Sequence, residues 1–181
     1  MLPSAHFSAG YLLAKAVIHY SHAAFNVQET HQLLFWGAFF GFAPDLDTFY
    51  AFLKIRKWII PRAKIDHRKF ISHAPLPWLV AGLLIYFVGN DPYIKYFGLM
   101  LWLGSWSHFV LDSTKHGIRW LWPFSNRLYA LRESDRAWEN TETKFFGYWT
   151  NFLRHYATDS TITFMLDIVI TLAALVIFFR S

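Results

Sequence analysis

The chain has no cysteine. Disulfides, thiolate metal ligands and a cysteine nucleophile are therefore excluded, and any metal must be held by nitrogen and oxygen. Charge is also scarce. Only 16% of the residues are Asp, Glu, Lys or Arg, against about 25% in an ordinary soluble domain. With 55% hydrophobic and 20% aromatic residues, there are too few charges to solvate a conventional surface. No low-complexity tract, internal repeat or domain linker interrupts the 181 residues, which read as a single domain, 1–181. A signal peptide is disfavoured at the start. The apolar stretch 7–25 contains Lys15, His19 and His22 and has no basic residue before it.

Apolar stretches set the expected architecture. Residues 7–25 read as a membrane-associated helix, with His6 at its start. A second apolar stretch, 32–43, is too short by itself for the hydrocarbon core, which needs about 20 residues. It runs into Pro44, which should end or kink it. A third helix follows SHAPLPW and reaches Val88. Gly89-Asn90-Asp91-Pro92 is a turn, and a fourth helix returns toward Asp112. Phe145, Trp149, Phe152 and Tyr156 recur at helical spacing, and their aromatic weight favours a helix lying among lipid headgroups. The cleanest span is 162–179. The expected fold is all-α: an integral membrane bundle of four to five helices with an interfacial amphipathic helix.

Fourteen of the seventeen Lys and Arg lie in two segments, 54–69 and 115–155. Two spans separate these segments, so both face one side, which the positive-inside rule makes the cytoplasm. Reading them as nucleic-acid patches finds no groove-reading motif, and no direct nucleic-acid contact is expected.

The stretch Gly104–Gly117, GSWSHFVLDSTKHG, carries His108, Asp112 and His116 at i, i+4 and i+8. On a helix this spacing stacks the side chains along one face, where imidazole and carboxylate can grip one divalent ion. A plainer reading is a buried Asp hydrogen-bonded to a His. On the expected topology, however, His6, Asp45, Asp47, His67, His73, His108, Asp112, His116, Asp159 and Asp167 all fall toward one end of the bundle. His19, His22 and His31 fall toward the other and receive no role. Such a set suits Zn, Mn, Fe or Ni and exceeds what one ion needs, which suggests two metals. Arg68 and Lys69 could bind an anionic group such as phosphate, or only lipid headgroups. His116 either shuttles a proton or is an exposed loop residue. Asp167 either orients a ligand or pairs with a polar group in the bundle.

Three motifs in order, GFAPDLD (41–47), DHRKFISHA (66–74) and GSWSHFVLDSTKHGIRWLWPF (104–124), resemble those of the YdjM-like family. That family comprises prokaryotic inner-membrane proteins described as membrane-bound metal-dependent hydrolases, some of them labelled LexA-binding. It is distantly similar to zinc-dependent phospholipase C and the P1 nucleases. The resemblance covers most of residues 6–124. Departures include Phe40 and Phe42 where the family's turn pattern has Gly and Leu, Lys69 where the family prefers Gly, and Ser72-His73-Ala74 in place of Thr-His-Ser. The interval from Asp112 to Gly117 is also one residue short.

The resemblance implies His6, Asp45, Asp47, His67, His73, His108 and Asp112 as metal ligands, with zinc as the expected metal in one or two copies. Asp45, His67, His108 and Asp112 would form the catalytic set. It implies a multi-pass protein of a prokaryotic inner membrane, its site facing the cytoplasm among membrane lipids. The substrate would be a phosphoester or lipid headgroup, cleaved by a phosphoesterase or phospholipase-like activity. Two rivals are a non-catalytic membrane interaction protein with a structural metal cluster, and a divalent-ion transporter. A transporter needs ligands near the bilayer midplane, whereas these crowd one end.

Overall fold

The computed structural model describes residues 1–21, 23–55, 67–114, 117–131 and 144–180. Among them every regular element is helical, apart from one antiparallel bridge between Ile118 and Tyr129. The α-helices are α1 (Pro3–Tyr20), α2 (Val27–Phe42), α3 (Asp47–Ile55), α4 (Pro75–Val88), α5 (Pro92–Asp112), α6 (Phe145–Asp159) and α7 (Thr161–Phe179). Short 3-10 turns occupy Ala43–Leu46, His67–Lys69 and Ile71–His73.

Local chemistry sets the boundaries. Proline opens α1, α4 and α5, where its missing N–H costs nothing and its fixed φ suits the first turn. Asn26 and Glu29 cap α2 reciprocally: the Asn26 side chain accepts from Glu29 N (2.8 Å) and Glu29 Oε2 accepts from Asn26 N (2.9 Å). Asp91 Oδ1 accepts from Tyr93 N at 2.7 Å and starts α5. Pro44 acts as expected. α2 stops at Phe42, and the chain tightens into a 3-10 turn that carries Asp45.

α5 packs on α4, α2 and α1, while α7 lies on α1 and touches α6. The apolar core is Ala14, Leu33, Phe40, Ala43 and Met100, with Trp36, Trp78 and Phe97 packed around it. α1 and α2 approach backbone to backbone through Gly10, Gly37 and Gly41, where no side chain stands between them. Beyond α5 the chain turns at Gly117, whose φ of +81° is left-handed. It then folds back, so that Leu131 N donates to Ser113 O at 2.7 Å.

One helix among the described residues, α7, is long and apolar enough to cross a membrane, with mean hydropathy 2.6. This is fewer spans than the sequence reading expected, for two reasons. α2 and α4 have 16 and 14 residues and reach about 24 and 21 Å at 1.5 Å per residue, short of a hydrocarbon core of about 30 Å. α1 and α5 are long enough, but histidine, serine, glycine and tryptophan dilute their hydropathy.

Gly41 sits where α2 meets the first turn of α1, and a Cβ there would collide with the His6 carbonyl oxygen. Gly41→Ala should therefore force the helices apart and cost roughly 1–3 kcal/mol. The expected result is a lowered thermal midpoint in detergent. A midpoint equal to wild type would show that this contact does not hold α1 in place.

Candidate metal centre

Four pieces of chain deliver side chains to one point. The first turn of α1 brings His6, the turn after α2 brings Asp45, the turn Ile71–His73 brings His73, and the last turns of α5 bring His108 and Asp112. His6 Nε2 lies 3.3 Å from Asp112 Oδ1 and 3.9 Å from Asp45 Oδ2. His73 Nε2 lies 3.5 Å from Asp45 Oδ1. His108 Nε2 lies 3.8 Å from Asp45 Oδ1 and 3.7 Å from Asp112 Oδ2. The His6 and His108 rings stack with centroids 3.8 Å apart. Two sets result, His6–His108–Asp112 and Asp45–His73–His108, each with donor atoms within 4.8 Å of one another.

The hydrogen bonds on the far side of the rings determine what these atoms can do. His108 Nδ1 lies 3.0 Å from Gly41 O. A carbonyl only accepts, so Nδ1 carries the proton and Nε2 of the neutral ring is a bare lone pair. That lone pair is buried, has no hydrogen-bond partner among the described residues, and faces two carboxylates. Three electron-rich groups converging in a buried space repel one another unless a cation lies between them. Two ligand atoms of a tetrahedral zinc, each about 2.0–2.1 Å from the ion, stand about 3.3 Å apart. The pairs quoted above are close to that spacing and too long for good hydrogen bonds. The residues present therefore fit a divalent ion.

Asp47 belongs to neither set. Its Oδ2 accepts from His73 Nδ1 at 2.7 Å and from Ser72 Oγ at 2.6 Å. This is how carboxylates orient a ligating ring and fix its tautomer. Burial alone would lower the His73 pKa, but the carboxylates of Asp45 and Asp47 on either side of the ring push it up to about 9. Burial alone would raise Asp45. Its neighbour His73 instead holds it well below the usual carboxylate range. In the metal-free protein a proton on His73 thus balances Asp45, and a metal would take that proton's place.

The remaining sequence candidates divide. Arg68 is buried, with Nε 4.0 Å from Asp112 Oδ2; Lys69 is exposed. The backbone of His67 opens a 3-10 turn, but its side chain and all of His116 lie outside the described residues. α5 ends at Asp112, so helical spacing holds for His108 and Asp112 and does not extend to a third position. Sequence reading missed Arg119, which is buried and donates from Nη2 to Phe70 O at 2.7 Å, tying down the segment that carries Arg68 and His73. An arginine set inside the apolar stretch 117–124 was the available signal. The Met1 ammonium also lies 3.1 Å from Asp112 Oδ1. A groove of about 380 Å³ at the other end of α1 and α2, lined by Lys15, His19, Phe25, His31 and Leu34 among others, is remote from this chemistry.

Among the described residues, one helix apolar enough to cross a membrane accompanies a buried His–Asp cluster that could hold a metal ion. The chain belongs to the YdjM inner membrane protein family, whose family model matches residues 1–181. No curated protein and no solved structure matches it.

Because Asp47 orients His73 and lies outside both donor sets, Asp47→Asn should weaken metal binding about 10- to 100-fold without abolishing it. Competition with a chromophoric chelator measures this. Complete loss of metal would make Asp47 a ligand.

Proposed function

We propose that this protein is a membrane-bound metal-dependent hydrolase, a phosphoesterase working at the cytoplasmic face of the inner membrane. The observation that carries this reading is the bare Nε2 of His108 set against Asp45 and Asp112, with His6 and His73 beside it. In this reading His6, Asp45, His73, His108 and Asp112 hold one or two ions, zinc being one of the metals that suit nitrogen and oxygen donors. His108 has one free nitrogen and serves a single ion, so a second would have to share a carboxylate. A divalent ion bound there supplies Lewis acidity and lowers the pKa of coordinated water.

The chain's own groups suit an anionic substrate. The His6, His73, His108 and Asp112 side chains are 1, 0, 0 and 3% exposed, whereas Asp45 is 19% exposed. The site therefore has one more open side, as a catalytic centre needs and a sealed structural centre does not. Arg68 stands beside Asp112, and its guanidinium is suited to clamp a phosphate in two-point contact. Exposed Lys69 adds positive charge nearby.

We read the whole as a multi-pass bundle of four to five helices, with α6 lying at the interface. Exposed apolar residues on α4 (Val80, Leu84, Phe87) and α7 (Val169, Leu172, Phe179) support lipid contact, and the two basic segments support a cytoplasmic site. The substrate is then a phosphoester presented at the membrane surface, such as a lipid headgroup.

Asp112→Asn keeps the shape of the side chain but removes charge from the donor set. The expected result is loss of bound metal and of hydrolysis in a screen of nitrophenyl phosphate mono- and diesters and phospholipids, with helical content retained, because lipid burial holds the helices. A structural metal would instead show no wild-type hydrolysis and a strongly lowered thermal midpoint in the variant. Equal metal content in both proteins would contradict the metal site itself.

A further inference from the structure

Two carboxylates are fully buried among the described residues, Asp112 and Asp167. The metal centre accounts for the first. Asp167 lies in α7, the one strongly apolar helix, and is 1% exposed. A carboxylate at that depth is costly unless something compensates it, and is by default a residue with a task.

Its partners indicate the task. Oδ2 accepts from the Leu2 amide at 2.9 Å and from the Tyr156 hydroxyl at 2.7 Å. Oδ1 has no hydrogen-bond partner among the described residues. Leu2 is the residue from which α1 starts, and its amide is one of the donors a helix N-terminus leaves open. On its other side, the Leu2 carbonyl accepts from Ala5 N (3.0 Å) and His6 N (3.4 Å). Asp167 thus holds the amide of Leu2, the residue whose own carbonyl receives the backbone N–H of His6. The His6 ring in turn stacks on His108 and faces Asp112. The negative charge also suits the positive end of the α1 dipole. Tyr156 brings α6 into the same contact. Burial, and then the bond to Asp167, push its phenol above the usual tyrosine range, so it remains a donor.

A tie that merely joined helices would be redundant here. α1 and α7 already pack along their length, with Tyr11 and Phe178 meeting edge to face at 6.1 Å. We propose that Asp167, held by Tyr156, is a positioning residue for the metal centre: it fixes the first turn of α1 and thereby the place of His6 among the donors. This inference rests on the metal reading above.

The test is cobalt titration of the full chain in detergent, followed by visible absorption, which reports the ligand field of the ion. The proteins are wild type, Asp167→Asn, Tyr156→Phe, His6→Ala and the double variant His6→Ala/Asp167→Asn. Asp167→Asn is expected to weaken cobalt binding about 10- to 100-fold, the range for groups that orient ligands, and to shift the absorption bands in the sense that His6→Ala does. Tyr156→Phe, which removes one hydroxyl and carries the comparison if Asp167→Asn fails to fold, should do the same to a smaller degree. The double variant should bind no more weakly than His6→Ala alone, since residues acting through one another are not additive. Wild-type affinity and bands in both Asp167→Asn and Tyr156→Phe would overturn the proposal. So would an equal loss from Asp167→Asn with and without His6, which is what a general structural tie gives. Absence of cobalt, zinc and manganese binding by the wild type would overturn the metal reading and this inference together. Cobalt binding by the wild type that is left unchanged in Asp167→Asn and Tyr156→Phe overturns this inference alone.

Discussion

The site depends on one hydrogen bond between distant parts of the chain, from His108 Nδ1 to the carbonyl of Gly41. It fixes the ring's tautomer and turns a bare nitrogen toward Asp45 and Asp112. It also needs α2 and α5 in register at their ends, and it needs Gly41 to lack a side chain so that α1 can reach the same place with His6. The glycine face, the break at Pro44 and the turn back from α4 into α5 can all be understood as conditions for that contact. Removing the cation from such a pocket leaves carboxylates facing lone pairs, which burial makes costly. The raised pKa of His73 is the metal-free protein's partial answer, since a proton there balances Asp45.

Much of the fold was legible because punctuation in this sequence is strong. Pro44 and the Gly89–Pro92 turn mark boundaries by steric and hydrogen-bonding rules that tertiary structure rarely overrides. The aromatic helix of residues 145–159 was visible from its spacing alone. The number of spans was less legible. Length and hydropathy single out α7, while α2 and α4 are short and α1 and α5 are diluted by the same histidines, glycines and tryptophans that build the site and the helix contacts. The residues that build the candidate site thus lower the hydropathy of the helices that carry them.

The site was legible by residue type and less so by role. His6, Asp45, His73, His108 and Asp112 converge as their places near helix ends suggested. Asp47, two residues from Asp45, takes the opposite side of His73. A Pro-Asp-x-Asp turn directs its two carboxylates differently, and no spacing rule shows which one faces the donors. The i+8 reading of His116 assumed a helix that stops at Asp112. The Gly41 carbonyl has no sequence signature, because backbone acceptors look alike in every residue. Asp167 was conspicuous as a charge in an apolar run, but its partners, Leu2 and Tyr156, could be identified only from the folded chain.

The central claim is that imidazole nitrogens and carboxylate oxygens from four pieces of chain converge on a divalent ion. X-ray absorption at the zinc edge of the zinc-loaded protein tests this most directly, since imidazole rings give a distinctive outer-shell scattering pattern. Two or three histidine nitrogens together with carboxylate oxygens are expected at about 2.0–2.2 Å, with loss of one imidazole contribution in His108→Ala. An oxygen-only shell without imidazole scattering, or a spectrum unchanged by that substitution, would contradict it.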